Sequence, residues 1–104
     1  MWLFWPGMRP CGMPTFAEKF GGRRAALTTG VDLLRGLAIQ TGVDILRLAG
    51  VTDAGDNDFA GQMAGGLASL EDHDVVFVHI EAPDEASHAG DVQGKVRAIE
   101  HADE

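Results

Sequence analysis

Apolar positions along the chain fall into short continuous runs that alternate with stretches of helical spacing, and the alternation predicts a βαβαβα order. A short buried strand is expected over 25–29, although its Ala and Thr residues have weak β-propensity. Val31, Leu34, Leu37 and Ala38 then recur at helical spacing over 31–41, with Gly42 as a stop signal. A second short strand follows over 44–48, closed by Gly50, and a loop rich in Gly, Asp and Asn covers 52–57. The spacing predicts a helix over 59–70, with Phe59, Met63, Leu67 and Leu70 on one stripe and Asp58 as its N-cap. Residues 74–80 form the strongest strand pattern, apolar on both faces as expected of a central parallel strand covered by helices. A last helix is expected over 91–102, with Val92, Val96 and Ile99 inward.

Residues 1–22 read differently. Pro6, Gly7, Pro10, Gly12, Pro14, Gly21 and Gly22 punctuate them into an irregular arm, broken by a turn of helix around Phe16 to Phe20. The domain division is therefore an irregular arm over 1–22 and an α/β unit over 23–104. Crossover helices imply parallel strands and right-handed connections, so the fold class is α/β, a portion of a three-layer sandwich with a short, mainly parallel sheet. Three short strands leave two open edges, which predicts additional chain or self-association through a sheet edge.

Composition narrows the function. Sixteen acidic residues against eight basic ones give a formal net charge of −8. That disfavours nucleic acid and anionic membranes, which are bound through basic patches, but suits a cation site built from carboxylates. The one cysteine, Cys11, excludes an internal disulfide framework and a cysteine-rich zinc site and fits a reducing, cytoplasmic setting. The apolar start, Met1 to Trp5, is cut at once by Pro6 and Gly7, so no signal-peptide core is expected there. No run approaches the roughly 18 apolar residues of a membrane span.

Open parallel sheets place their sites beyond the carboxyl ends of their strands. Leaving the strongest strand, residues 81–91 hold four carboxylates and one imidazole: Glu81, Asp84, Glu85, Asp91 and His88. If one helical turn covers 84–88, the four-residue spacing puts Asp84 and His88 on the same side. Oxygen and imidazole nitrogen converging on one point suit Mn²⁺, Zn²⁺ or a similar ion. The bare spacing is more often that of helix caps or solvated loop charges, and two ligands do not complete a site. His79 is expected in a hydrogen-bonded structural role, His73 and His101 at the surface near helix ends, and Arg23, Arg24 and Arg35 as solvated charges.

The segment Val78-His79-Ile80-Glu81-Ala82-Pro83-Asp84-Glu85-Ala86-Ser87-His88-Ala89-Gly90-Asp91 resembles a motif of the archaeal-type, cofactor-independent phosphoglycerate mutases, metal-dependent members of the alkaline phosphatase superfamily. Phe16-Ala17-Glu18-Lys19-Phe20-Gly21, Val31-Asp32-Leu33-Leu34-Arg35-Gly36, Asp58-Phe59-Ala60-Gly61-Gln62 and Lys95-Val96-Arg97-Ala98-Ile99-Glu100 are similar to other stretches of that family, in the same order. In the third of these Gln62 stands where the family has Lys, and in the looser match over 2–10 Met8 stands where it has a basic residue. The resemblance implies a partial alkaline-phosphatase-like domain. It implies transfer of phosphate between the 3- and 2-positions of glycerate in glycolysis, through a phosphorylated serine and two divalent cations (Mn²⁺, Mg²⁺ or Zn²⁺). Asp84 and His88 then carry over as ligands of one metal. The serine and further ligands belong to family segments upstream and downstream of the stretch matched here. No catalytic residue is therefore assigned in this chain, and turnover by the chain alone is not expected. A non-catalytic, partner-binding α/β remnant is the alternative, as is another reaction of the superfamily (phosphonopyruvate decarboxylase-related or homoserine kinase-like).

Overall fold

The computed structural model describes residues 14–104. The matched stretch at 2–10 and Cys11 lie outside them. The elements run α1 (Phe16–Lys19), β1 (Ala25–Thr28), α2 (Asp32–Thr41), β2 (Asp44–Ile45), α3 (Phe59–Ser69), β3 (Val75–Val78), α4 (Ala82–His88) and α5 (Val92–Asp103). Their ends follow from the expected signals. Thr15 caps α1 in a reciprocal capping box with Glu18, Asp58 caps α3 through the Gly61 N–H, and Gly42 ends α2 in the left-handed region at φ 72°.

The three strands pair in parallel in the order β2-β1-β3. Ala26 lies opposite Asp44 and Leu27 opposite Ile45, while residues Ala25 to Thr28 match Val75 to Val78 along β3. The strongest apolar run is therefore at an edge of the sheet, not at its centre. The centre is the weaker strand β1, because Ala25, Ala26 and Thr28 are small enough to be fully enclosed. β2 is also shorter than its pattern suggests. After Leu46 N–H donates to Leu27 O at 2.9 Å, β1 has only Thr28 left and pairing stops.

α3 packs on β1 and β3. Gly66 permits the approach, since a Cβ there would lie 2.9 Å from Cγ2 of Val78. Phe77 points to the opposite face, where Phe16 of α1 meets it edge-on at 6.1 Å. The two crossovers run in opposite directions across the sheet, so right-handed connections set α2 and α3 on opposite faces. The result is a partial α/β sandwich.

The helical stripes correct the sequence reading. Leu37, Met63, Leu67 and Leu70, and likewise Val92, Val96 and Ile99, face outward. The inward positions are small or polar instead: Ala38 and Gln40 in α2, Gln62 and Gly66 in α3, and Ala98 in α5. The helix α5 packs chiefly against α4 rather than on the sheet, and its apolar stripe is exposed. Among the described residues, no helix is long and apolar enough to cross a membrane.

Candidate metal centre

The chemistry-bearing residues gather beyond the carboxyl ends of β1 and β3, where an open parallel sheet places its sites. One backbone bond and one side-chain amide hold that junction. His79 N–H donates to Thr28 O at 2.9 Å, extending the strand pairing by one rung. The Gln62 amide then reaches in from α3, donating to Thr28 O at 3.1 Å and to His79 O at 2.8 Å. Its oxygen accepts from Asn57 Nδ2 at 2.9 Å, and the Asn57 oxygen accepts from Thr52 N–H at 2.8 Å. Gln62 is 1% exposed, so each of its polar atoms needs a partner, and each has one. Nothing in the sequence reading singled out this residue beyond its place in a matched stretch. The available signal was a polar amide spaced four residues from Gly66 on the same helix face.

From this junction a chain of side chains runs outward. The buried Thr29 hydroxyl accepts from Val31 N–H at 3.1 Å and contacts His79 Nδ1 at 2.9 Å. The other ring nitrogen, Nε2, faces the Glu81 carboxylate at 3.1 Å. Nδ1 and the threonine hydroxyl share a hydrogen bond, while Nε2 is turned toward the carboxylate. His79 thus has the hydrogen-bonded role expected of it, just past the end of β3.

Pro83 does not extend the chain as its type alone suggests. It lies in the first turn of α4, where its missing N–H costs nothing and its fixed φ suits the helix. The helix brings Asp84 and His88 onto one side, with Asp84 Oδ2 and His88 Nε2 3.1 Å apart and both side chains more than half exposed. Glu81, Asp84 and Glu85 each bring a carboxylate oxygen within 4.8 Å of the others. His88 joins that group through Asp84. Burial, then the hydrogen bond to Asp84 and that group's negative charge, push the Glu81 carboxyl above its ordinary range, against the opposing pull of His79.

Oxygen donors beside one imidazole are a donor set that fits a borderline or hard divalent cation. The other candidates lie apart. Arg35 donates to Thr29 O at 2.8 Å and pairs with Asp32, so it is tied into the β1–α2 turn. Arg24 faces Asp44 at 3.7 Å, by the amino ends of the strands. His73 is not a surface residue: its ring is 10% exposed and bridges Asp44 Oδ2 at 2.7 Å and Ser69 O at 3.0 Å. His101 is exposed on α5 and stacks over Phe59.

Known proteins resemble this arrangement along its whole length. The chain is 42% identical over 103 residues to 2,3-bisphosphoglycerate-independent phosphoglycerate mutase 2 of Methanothermobacter thermautotrophicus, covering 99% of this chain and 25% of that protein. It is 43% identical to the corresponding mutase of Methanothrix thermoacetophila, covering 100% of this chain and 26% of the relative. The chain thus spans about a quarter of the length of the curated relatives it matches. Among solved structures, the PH0037 protein from Pyrococcus horikoshii superposes with a TM-score of 0.83 at 29% identity, over 90% of this chain and 28% of that one. With residues 43–104 matching its family pattern and α4 at the carboxyl end of the sheet, the chain belongs to the Metalloenzyme superfamily.

Proposed function

We propose that this chain is the metal-binding portion of a phosphoglycerate mutase of that superfamily, with Asp84 and His88 as protein ligands of one divalent cation. The observation that carries the reading is the 3.1 Å approach of Asp84 Oδ2 and His88 Nε2 on one side of α4, beyond β3. The similarity to phosphoglycerate mutases supports the reaction class, interconversion of 3- and 2-phosphoglycerate. Mn²⁺, Mg²⁺ and Zn²⁺ all suit the donors, and two such ions serve the complete enzyme in this reading. A bound cation there supplies charge stabilisation for a transferring phosphoryl group. The chain's own residues hold and orient: α4 fixes the two ligands in register, and the β1–β3 junction fixes where α4 starts. A cytoplasmic setting fits a glycolytic role.

The acidic surface has a consequence for substrate. Among the described residues no lysine or arginine pairs with Glu81, Asp84 or Glu85. Within the described residues, a bound cation is what would draw a phosphorylated substrate to this corner, not a lysine or arginine. Calorimetric titration of Mn²⁺ and Zn²⁺ into the chain tests the reading. Weak binding that Asp84→Ala and His88→Ala both abolish is expected. Equal binding by the wild type and Asp84→Ala would overturn the assignment.

A further inference from the structure

The side chain of His79 is surplus to what holds the sheet together. At that junction the backbone is already secured by His79 N–H to Thr28 O and by the two Gln62 amide bonds. Yet the imidazole is engaged on both sides, hydrogen-bonded to the buried Thr29 hydroxyl at 2.9 Å and with Nε2 facing the Glu81 carboxylate at 3.1 Å. Thr29 itself is locked, its hydroxyl accepting from Val31 N–H and its carbonyl accepting from Arg35. The rigid end of this series lies one residue past the sheet's central strand, and its other end is a carboxylate facing Asp84. Left to itself, Glu81 would turn away from two neighbouring carboxylates toward water. The His79 ring, with Nε2 3.1 Å from that carboxylate, opposes the turn and adds to its hydrogen bond with Asp84.

We infer that Thr29 and His79 are positioning residues for the metal site, acting through Glu81. They hold its carboxylate against Asp84, so that Asp84 and His88 meet a divalent cation already oriented. The inference rests on the metal-site reading above. Groups that orient ligands from behind commonly set affinity by ten- to hundred-fold without touching the ion. Thr29 is 55 residues from Asp84 in sequence (84 − 29), so no local motif would reveal the link.

The test is Mn²⁺ binding to the full 104-residue chain, read by calorimetry and by the electron paramagnetic resonance of the bound ion. His79→Ala and Thr29→Val should each weaken binding by about ten-fold or more. Both should broaden the bound-ion spectrum, while Thr29→Ser, which keeps the hydroxyl, restores the wild-type values. Circular dichroism confirms the fold of each variant. Thr29→Val is nearly isosteric, so it carries the test if His79→Ala fails to fold. Wild-type affinity and spectrum in folded Thr29→Val overturn the relay alone. A Thr29→Ser variant as impaired as Thr29→Val also overturns it, since the hydroxyl is then irrelevant. Mn²⁺ binding by Asp84→Ala equal to wild type, or no binding by the wild type, removes the metal-site reading and the relay together.

Discussion

At the scale of single residues, two buried or half-buried groups give the site its shape. Gln62 is the more consequential for the fold. Its amide satisfies carbonyls at the ends of β1 and β3 and is itself satisfied by Asn57, so replacing it leaves His79 O and the Asn57 amide without their partner. Gln62→Leu should cost about 3 kcal/mol, the upper range for buried polar groups left without partners. The measurement is urea denaturation, with the shift read in the midpoint at constant slope. Glu81 acts through its proton. Its folded carboxyl is raised above the ordinary 4.5, so between that value and the raised one the native state holds more protons than the unfolded chain. Unfolding free energy must then fall as pH rises through that window. With metal removed by chelator, the stability of the wild type relative to Glu81→Gln should decline from pH 4.5 upward and then level off. A difference that stays flat or grows with pH would show that burial and Asp84 do not raise the Glu81 carboxyl.

At the scale of elements, glycines mark where the chain must pass close to itself. Gly30, between β1 and α2, has no room: a Cβ there would meet the Thr52 carbonyl carbon and lie 2.5 Å from its oxygen and 2.6 Å from Asp53 N. These are backbone atoms, which cannot rotate aside. Gly36, on α2, has nothing within 4 Å of the same added atom. Gly30→Ala should therefore destabilise the chain by about 2 kcal/mol through overpacking. Gly36→Ala should stabilise it by about 0.7 kcal/mol through helix propensity and a stiffer unfolded chain. Thermal unfolding of the pair checks both signs, and a loss of stability in Gly36→Ala would show that α2 is packed where it looks open. Much at this scale was legible in the sequence. The caps at Asp58 and Gly42 and the α4 turn joining Asp84 to His88 all follow from local rules. The order of the strands was not legible, because apolar strength ranks β3 first whereas smallness puts β1 in the middle. The inward face of α3 was missed for the same reason. Close approach of helix to strand selects Gly66 and Gln62 over Met63 and Leu67. The Thr29–His79–Glu81 series joins residues 50 apart across the sheet and leaves no periodic trace.

At the scale of the whole molecule, the enclosed apolar core is small. Among the described residues the buried hydrophobic ones are all alanines, Ala25, Ala26, Ala38, Ala82 and Ala98, while the larger apolar side chains are half-buried or exposed. The radius of gyration is 15.1 Å, above the about 13 Å of a compact 100-residue domain. This is the geometry of an α/β layer whose outer apolar faces are bare, and the match to a quarter of longer relatives agrees with it. Leu33, Leu67 and Val92 are 72%, 61% and 71% exposed on three different helices, which makes the point testable. If these faces are bare in the isolated chain, Leu33→Ser, Leu67→Ser and Val92→Ser together should change its unfolding free energy by no more than about 0.5 kcal/mol per site. The same triple variant should bind less of the apolar dye ANS and sediment as a smaller species at high concentration, because bare apolar patches drive association. A loss well beyond that limit would mean instead that self-association already covers these side chains. In that case stability would rise with protein concentration in the wild type and not in the variant.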